Sequence, residues 1–220
     1  MLYRTARLLL APVIRLVLAR SVEGTGNVPR SGRVIIASNH CSFIDSVIIA
    51  LLSPRPVHFL AKAEYFRARG VTGLLMRWVL AAVGSVPVER GTHHAARAAL
   101  DAGHRILTEE RAFGIYPEGS RSRDGRLYRG RTGVAWLALT ADAPVVPVAL
   151  SGTDRLQPIG RRLPRFHRVT VRFGPPVDLG DVPPGLRPAP HRRAVTDRVM
   201  LAIEELSGQE RAPGYNPTRV

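Results

Sequence analysis

Apolar residues in this chain fall into two kinds of run, separated by polar, turn-forming stretches. Residues 34–37, 57–61, 85–88, 113–116, 145–150 and 169–173 are short and read as strands, and 145–150 is continuous and apolar, the pattern of a strand buried on both faces. Longer segments with helical spacing cover 1–20, 64–83, 93–111, 133–140 and 190–206, and a shorter helix opens at Val47. Glu23 to Pro29, Ser53-Pro54-Arg55-Pro56 and Gly174-Pro175-Pro176 mark turns between them. Strands alternate with helices, so the expected class is α/β. The expectation is a single layered domain with a largely parallel mixed sheet flanked by helices, preceded by an N-terminal amphipathic helix. The expected organisation is a membrane-surface helix over 1–20, one domain over 21–208 and a loose tail over 209–220. No internal repeat is found. Residues 151–168 read as a long basic connection.

The first helix changes the picture because of its charges. Arg4, Arg7 and Arg15 share one arc of the helical wheel, and Leu9, Leu10, Val13, Ile14, Leu16 and Val17 cover much of the rest. Its longest uncharged stretch, Leu8 to Ile14, is far short of the ~20 apolar residues a span needs. No small-residue cleavage pattern follows it. A helix lying in the membrane interface is expected, peripheral or monotopic on the cytoplasmic face. The apolar stretch from Leu74 to Leu80 is either a buried helix or a second membrane-touching surface.

The net charge of +15 calls for an anionic partner: nucleic acid, phospholipid headgroups or a phosphorylated substrate. Lys62 is the only lysine. A GC-rich coding sequence explains arginine in place of lysine, so arginine richness alone does not argue for phosphate binding. The chain lacks interleaved aromatic and basic strands and any zinc-finger spacing, which argues against nucleic acid. A lone cysteine, Cys41, excludes an internal disulfide and the disulfide-rich secreted class.

Candidate chemistry centres on Asn39-His40-Cys41-Ser42-Phe43-Ile44-Asp45, between a predicted strand and a predicted helix. One turn would bring the Asp45 carboxylate back to the imidazole of His40. A carboxylate on one ring nitrogen fixes the tautomer and leaves the other to act as a base. Cys41 is adjacent to His40, and neighbouring residues do not face each other, so a thiolate–imidazole pair is not expected. The His-x-x-x-x-Asp spacing alone is a weak motif. Three further stretches end strands, where α/β proteins place ligands: Ser85-Val86-Pro87-Val88-Glu89-Arg90, Pro117-Glu118-Gly119-Ser120-Arg121-Ser122 and Val146-Pro147-Val148-Ala149-Leu150.

In order and spacing these four blocks resemble the glycerolipid acyltransferase family, the 1-acyl-glycerol-3-phosphate acyltransferases. The resemblance runs from about Val34 to Leu150, and Pro-Glu-Gly-Ser-Arg-Ser is its most specific part. It implies transfer of a fatty acyl group from acyl-CoA or an acyl carrier protein to the hydroxyl of a lysophospholipid such as lysophosphatidic acid, at a membrane phospholipid surface. It implies His40 as general base, with Asp45 holding it, and Arg90 and Arg121 as phosphate-binding positions. Gly119 or Ser120 would offer an amide to phosphate or oxyanion. Glu118 is open between orienting Arg121 or the acceptor and holding the loop. Ser120 stands where many members have threonine. An activated thioester needs no covalent enzyme nucleophile, metal or redox cofactor, so no cofactor is expected. The acceptor stays open among lysophosphatidic acid, glycerol-3-phosphate, another lysophospholipid and a lipid amino acid. A basic nucleic-acid-binding protein is the rival of a different class.

Overall fold

The computed structural model describes residues 2–67, 69–82, 84–88, 93–161, 163–180 and 189–217. Its strands are β1 (Ala19–Glu23), β2 (Val34–Ser38), β3 (Val57–Lys62), β4 (Val86–Val88), β5 (Ala112–Ile115), β6 (Val145–Ser151) and β7 (Val169–Phe173). Its helices are α1 (Leu2–Val17), α2 (Asp45–Leu52), α3 (Ala63–Arg67), α4 (Gly70–Ala82), α5 (His93–Thr108), α6 (Gly133–Thr140), α7 (Thr153–Leu156) and α8 (Ala189–Ser207). The strands form one sheet in the order β1-β7-β6-β2-β5-β3-β4. Every neighbouring pair is parallel except β6 with β7. The expected α/β class and largely parallel sheet are what the chain adopts.

The central strand shows why its sequence is continuously apolar. Val34 and Ile36 of β2 pack with Ile48 and Ile49 of α2 and with Phe59. Ile35 and Ala37 face the opposite layer, with Leu107 of α5, Leu137 of α6 and Val199 and Ile203 of α8. Alternate side chains of a strand point to opposite faces, so helices on both sides require both sets to be apolar. Burying one such isoleucine contributes about 1.5–3 kcal/mol.

Three segments differ from the sequence-based expectation. The first helix stops at Val17, and the chain turns at Leu18 to enter β1 as an edge strand on β7. The Leu18 carbonyl accepts the amide of Val169 at 2.7 Å, which joins the end of α1 to the start of β7. A short edge strand of mixed polarity carries no strong period, so its first two residues fall in the expected helix and its last in the expected turn. The helix expected over 64–83 is two, α3 and α4, and α4 opens at Gly70 with a φ of 80° that favours glycine. The segment read as a loose tail instead lies along the loop after β5. The amide of Leu127 donates to Glu210 O at 2.9 Å, that of Ala212 to Leu127 O at 3.0 Å, and that of Arg129 to Gly214 O at 2.9 Å. Those backbone bonds join residues more than eighty positions apart and leave no local sequence pattern.

Among the described residues, no helix is long and apolar enough to cross a membrane. Exposed large apolar side chains gather on α1 (Leu8, Leu9, Val13, Leu16), on α4 (Leu74, Trp78) and at Leu163 and Phe166.

Candidate active site

The site forms where β2 and β5 end side by side. Asn39, the first residue past β2, is buried and uses its side-chain amide as one more rung of the sheet. It donates to Leu150 O at 2.9 Å and accepts from Leu150 N at 2.8 Å. This fixes the next residue, His40, just past the C-terminal end of the central strand. The turn 41–44 then leads into α2, and Asp45 lies in its first turn, where the helix dipole favours a carboxylate. One oxygen of the fully buried Asp45 carboxylate, Oδ2, accepts from the amides of Cys41 and Ser42, each at 2.8 Å. The same oxygen meets His40 Nδ1 at 2.8 Å. An acceptor-only carboxylate here requires the proton on Nδ1, so Nε2 carries the basic lone pair.

A second turn grips the backbone of the same histidine. Glu118 is buried, and its Oε1 accepts the His40 amide at 3.0 Å while Oε2 accepts that of Tyr128 at 2.9 Å. Ser122 donates its amide to His40 O at 2.7 Å. Burial pushes the Glu118 carboxyl up to about 7, against the lowering effect of its two amide donors. Of the roles open to Glu118, this geometry is the loop-holding one.

The ring of His40 lies flat on Tyr116, with centroids 3.8 Å apart and an interplanar angle of 8°. Tyr116 stacks in turn on Phe59 at 5.5 Å, and its hydroxyl pairs with Ser46 of α2 at 2.8 Å. Gly114 makes room for this ladder, because a Cβ there would lie 2.2 Å from the Phe59 ring. His40 and Gly119 also border a cavity of about 130 Å³ whose walls include Phe59, Leu100, Phe113 and Ile115.

The remaining candidates are placed unevenly. Gly119 sits at a φ of 81°, and its amide closes the turn onto Tyr116 O at 3.0 Å. Ser120 is therefore the better candidate of the two for an amide directed at an anion. Ser120 and Arg121 are half-buried in the turn that grips His40. Arg90, with Glu89, lies outside the described residues. The strand before it, β4, ends at Val88 opposite Lys62 of β3, at the same end of the sheet as His40. Cys41 is buried, and burial followed by the nearby Asp45 charge pushes its thiol up to about 12, which leaves it inert as a nucleophile. Among the described residues, no group of three His, Cys, Asp or Glu is placed to hold a metal.

Sequence reasoning missed the outer supports. Asp124 gathers Ser122 Oγ, Arg126 and the Tyr128 hydroxyl at 2.8–3.2 Å and so orders the loop after the turn. Burial alone would raise its carboxyl, but these donors, Arg126 foremost, hold it down to about 2. Gln209 accepts from Asn39 Nδ2 at 2.7 Å and donates to Gly125 O at 2.6 Å. Asn216 donates to Ser120 O at 3.1 Å. The Tyr215 ring lies 5.3 Å from the Arg129 guanidinium and 5.6 Å from that of Arg131. Only Asn39 carried a signal, its place beside His40. Asp124 acts within four residues of itself, and Gln209, Tyr215 and Asn216 act across more than eighty residues of sequence.

The sequence matches the acyltransferase family over residues 19–151, more than half of the chain. It is 31% identical over 150 residues to a 1-acyl-sn-glycerol-3-phosphate acyltransferase of Limnanthes douglasii, covering 68% of this chain and 52% of that one. A protein of the same description from Borreliella burgdorferi is 32% identical over 133 residues, 60% of this chain and 51% of the relative. The chain thus spans about half the length of these curated relatives. The crystal structure of the 1-acyl-sn-glycerophosphate (LPA) acyltransferase from Thermotoga maritima superposes with a TM-score of 0.67 at 27% identity, over 92% of this chain and 82% of that one.

Proposed function

This chain belongs to the acyltransferase family, and from that membership we propose that it acylates the free hydroxyl of 1-acyl-glycerol-3-phosphate, giving phosphatidic acid. The observation that carries the reading is the His40–Asp45 pair clamped, through both backbone groups of His40, to the turn bearing Ser120 and Arg121. Relatives that match along the chain are 1-acyl-sn-glycerol-3-phosphate acyltransferases by name.

The donor is a fatty acyl thioester of coenzyme A or an acyl carrier protein. Nε2 of His40 takes the acceptor's hydroxyl proton as that oxygen attacks the thioester carbonyl. The Ser120 amide faces the oxyanion. The tetrahedral adduct collapses, the C–S bond breaks, and the imidazolium returns its proton to the leaving thiolate. Proton and electron pairs balance without a metal or redox cofactor. Arg121 offers a rigid fork to the acceptor phosphate, with Arg90 as its partner in the reading. The cavity beside His40, about 130 Å³, suits the first few carbons of an acyl chain next to its carbonyl. The exposed apolar side chains of α1 support action at the membrane surface, on the cytoplasmic face where such thioesters are found.

An assay of purified enzyme across lysophosphatidic acid, glycerol-3-phosphate, other lysophospholipids and a lipid amino acid, with both donor types, tests the reading. Lysophosphatidic acid should give the highest kcat/KM. Arg121→Ala should raise the acceptor KM and change the donor KM little. Equal weakening of both substrates removes Arg121 from the phosphate site, and preference for an unphosphorylated acceptor overturns the assignment.

A further inference from the structure

The connection from α7 to β7 carries two of the most exposed large apolar side chains among the described residues. Leu163 is 77% exposed and Phe166 74%, matching Leu8 and Leu16 of α1 at 77% and 81%. Arg161, Arg165 and Arg168 flank them and are exposed, and no acidic residue occurs between Arg155 and Val177. Apolar tips among arginines, without a counter-charge, are the composition of a segment that enters an anionic lipid interface.

Its place in the fold is equally specific. At one end, Ser42 of the catalytic turn donates its hydroxyl to Gln157 O at 2.6 Å. At the other, Val169 N donates to Leu18 O at 2.7 Å, one residue past the exposed Leu16 and Val17 of α1. β7 begins beside the end of β6, so this loop, the end of α1 and His40 all occupy the same end of the sheet. The loop's base is fixed by Arg165 N on Leu156 O at 2.6 Å and Arg161 N on Pro158 O at 3.1 Å. Pro164 further restricts the tip.

We infer that residues 158–161 and 163–168 form a second membrane-contact element, with Leu163 and Phe166 among lipid acyl chains and Arg161, Arg165 and Arg168 at headgroup phosphates. Together with α1 it holds the catalytic turn against the bilayer from two sides. An acceptor whose tail stays in the lipid then needs to rise only a short way to reach His40. This inference rests on the membrane-surface reading of α1.

The test uses the full chain with Phe166→Cys carrying an environment-sensitive fluorophore. The native Cys41 is buried and does not compete for the label. With vesicles of phosphatidylcholine and phosphatidylglycerol, emission should shift to the blue. Leu163→Ser/Phe166→Ser should weaken vesicle partitioning by about tenfold or more, the size expected for two lost apolar anchors. It should raise KM for vesicle-embedded acceptor and leave turnover on a soluble short-chain acceptor within about twofold of the parent, because neither residue is in the catalytic turn. An unshifted label on a chain that still sediments with vesicles overturns the loop's role and leaves α1 as the anchor. Failure of the intact chain to sediment overturns the membrane reading of both. A blue shift that follows protein concentration without vesicles assigns the loop to self-association instead.

Discussion

His40 is held at four points: amide, carbonyl, Nδ1 and ring face. Such over-determination would position a base, the role proposed for His40, without relying on substrate. His40→Ala should lower kcat by about 10²–10⁴ or more, with melting temperature close to the parent, because the supports of the turn are mostly backbone groups. Activity near the parent value would remove His40 from the mechanism. Asp45→Asn should be nearly as damaging and also cost about 1–3 kcal/mol of stability, since Oδ2 serves two buried amides as well as the ring. Glu118 makes a separate prediction. Its carboxyl titrates at about 7 in the folded chain, against an ordinary 4.5. Between those values the folded chain holds a proton that the unfolded chain has released, so this group's contribution to stability is full below pH 4.5 and is lost as pH rises to about 7. The loss is on the order of 3 kcal/mol. Glu118→Gln cannot titrate, so the difference in unfolding free energy between parent and variant should change across that window and be flat above it. A constant difference from pH 4 to 8 would mean Glu118 is ionised throughout.

At the scale of elements, the segment after α8 is a strap over the site. Gln209 ties the residue before His40 to Gly125, and Asn216 holds the carbonyl of Ser120. Tyr215 lies under Arg129 and Arg131, and Arg131 in turn packs on Gly119, where a Cβ would come 2.9 Å from its Nε. Asn216 and, through Arg131, Tyr215 reach the turn gripping His40, Gln209 alone touches the base side, at Asn39 and Cys41 Sγ, and none reaches Nδ1 or Asp45. Removing the strap should therefore loosen the phosphate side more than the base. Ending the chain after Gly208 should raise the acceptor KM about tenfold or more, with a smaller fall in kcat, and Asn216→Ala should show part of the same effect. Steady-state kinetics at saturating donor read the split. A pure fall in kcat would place the strap's influence on the base instead.

Over the whole molecule, charge and exposed apolar surface favour the same partner, the lipid surface of the proposed function. The chain carries a net charge of +15, and α1 exposes Leu8, Leu9 and Leu16. A basic residue at an anionic surface contributes about 1 kcal/mol and is screened by salt, whereas apolar insertion is not. Binding to anionic vesicles should weaken with salt yet retain a salt-resistant part. Leu8→Ser/Leu9→Ser/Leu16→Ser should cut that part down to the share that Leu163 and Phe166 supply, because all three side chains are more than two-thirds exposed and none supports the core. Co-sedimentation across a salt series reads both, and a triple variant that binds like the parent at high salt would move the anchor off α1. Substitution is the cleaner probe. Deleting 1–20 would also take the start of β1, whose Ala19 pairs with Val169.

Sequence by itself determined what depends on neighbours along the chain. Continuous apolar runs determined the buried strands, and helical spacing the helices. The five-residue step from His40 to Asp45 closed the pair that the fold brings to 2.8 Å. The Glu118–Ser122 block was legible because it ends a strand, where ligands collect. Tertiary structure alone decided what depends on residues far apart. It set the strand order and the antiparallel β6–β7 pair, and it drew β1 out of an apparent helix to cap an edge. Among the roles the sequence left open for Glu118, burial and its two amide donors favour the one that holds the loop. The bonds from Gln209 to Asn39 and from Asn216 to Ser120 span 170 and 96 positions. A single side chain paired with one distant group has no period and no composition. Only packing of the intervening chain brings the two within reach.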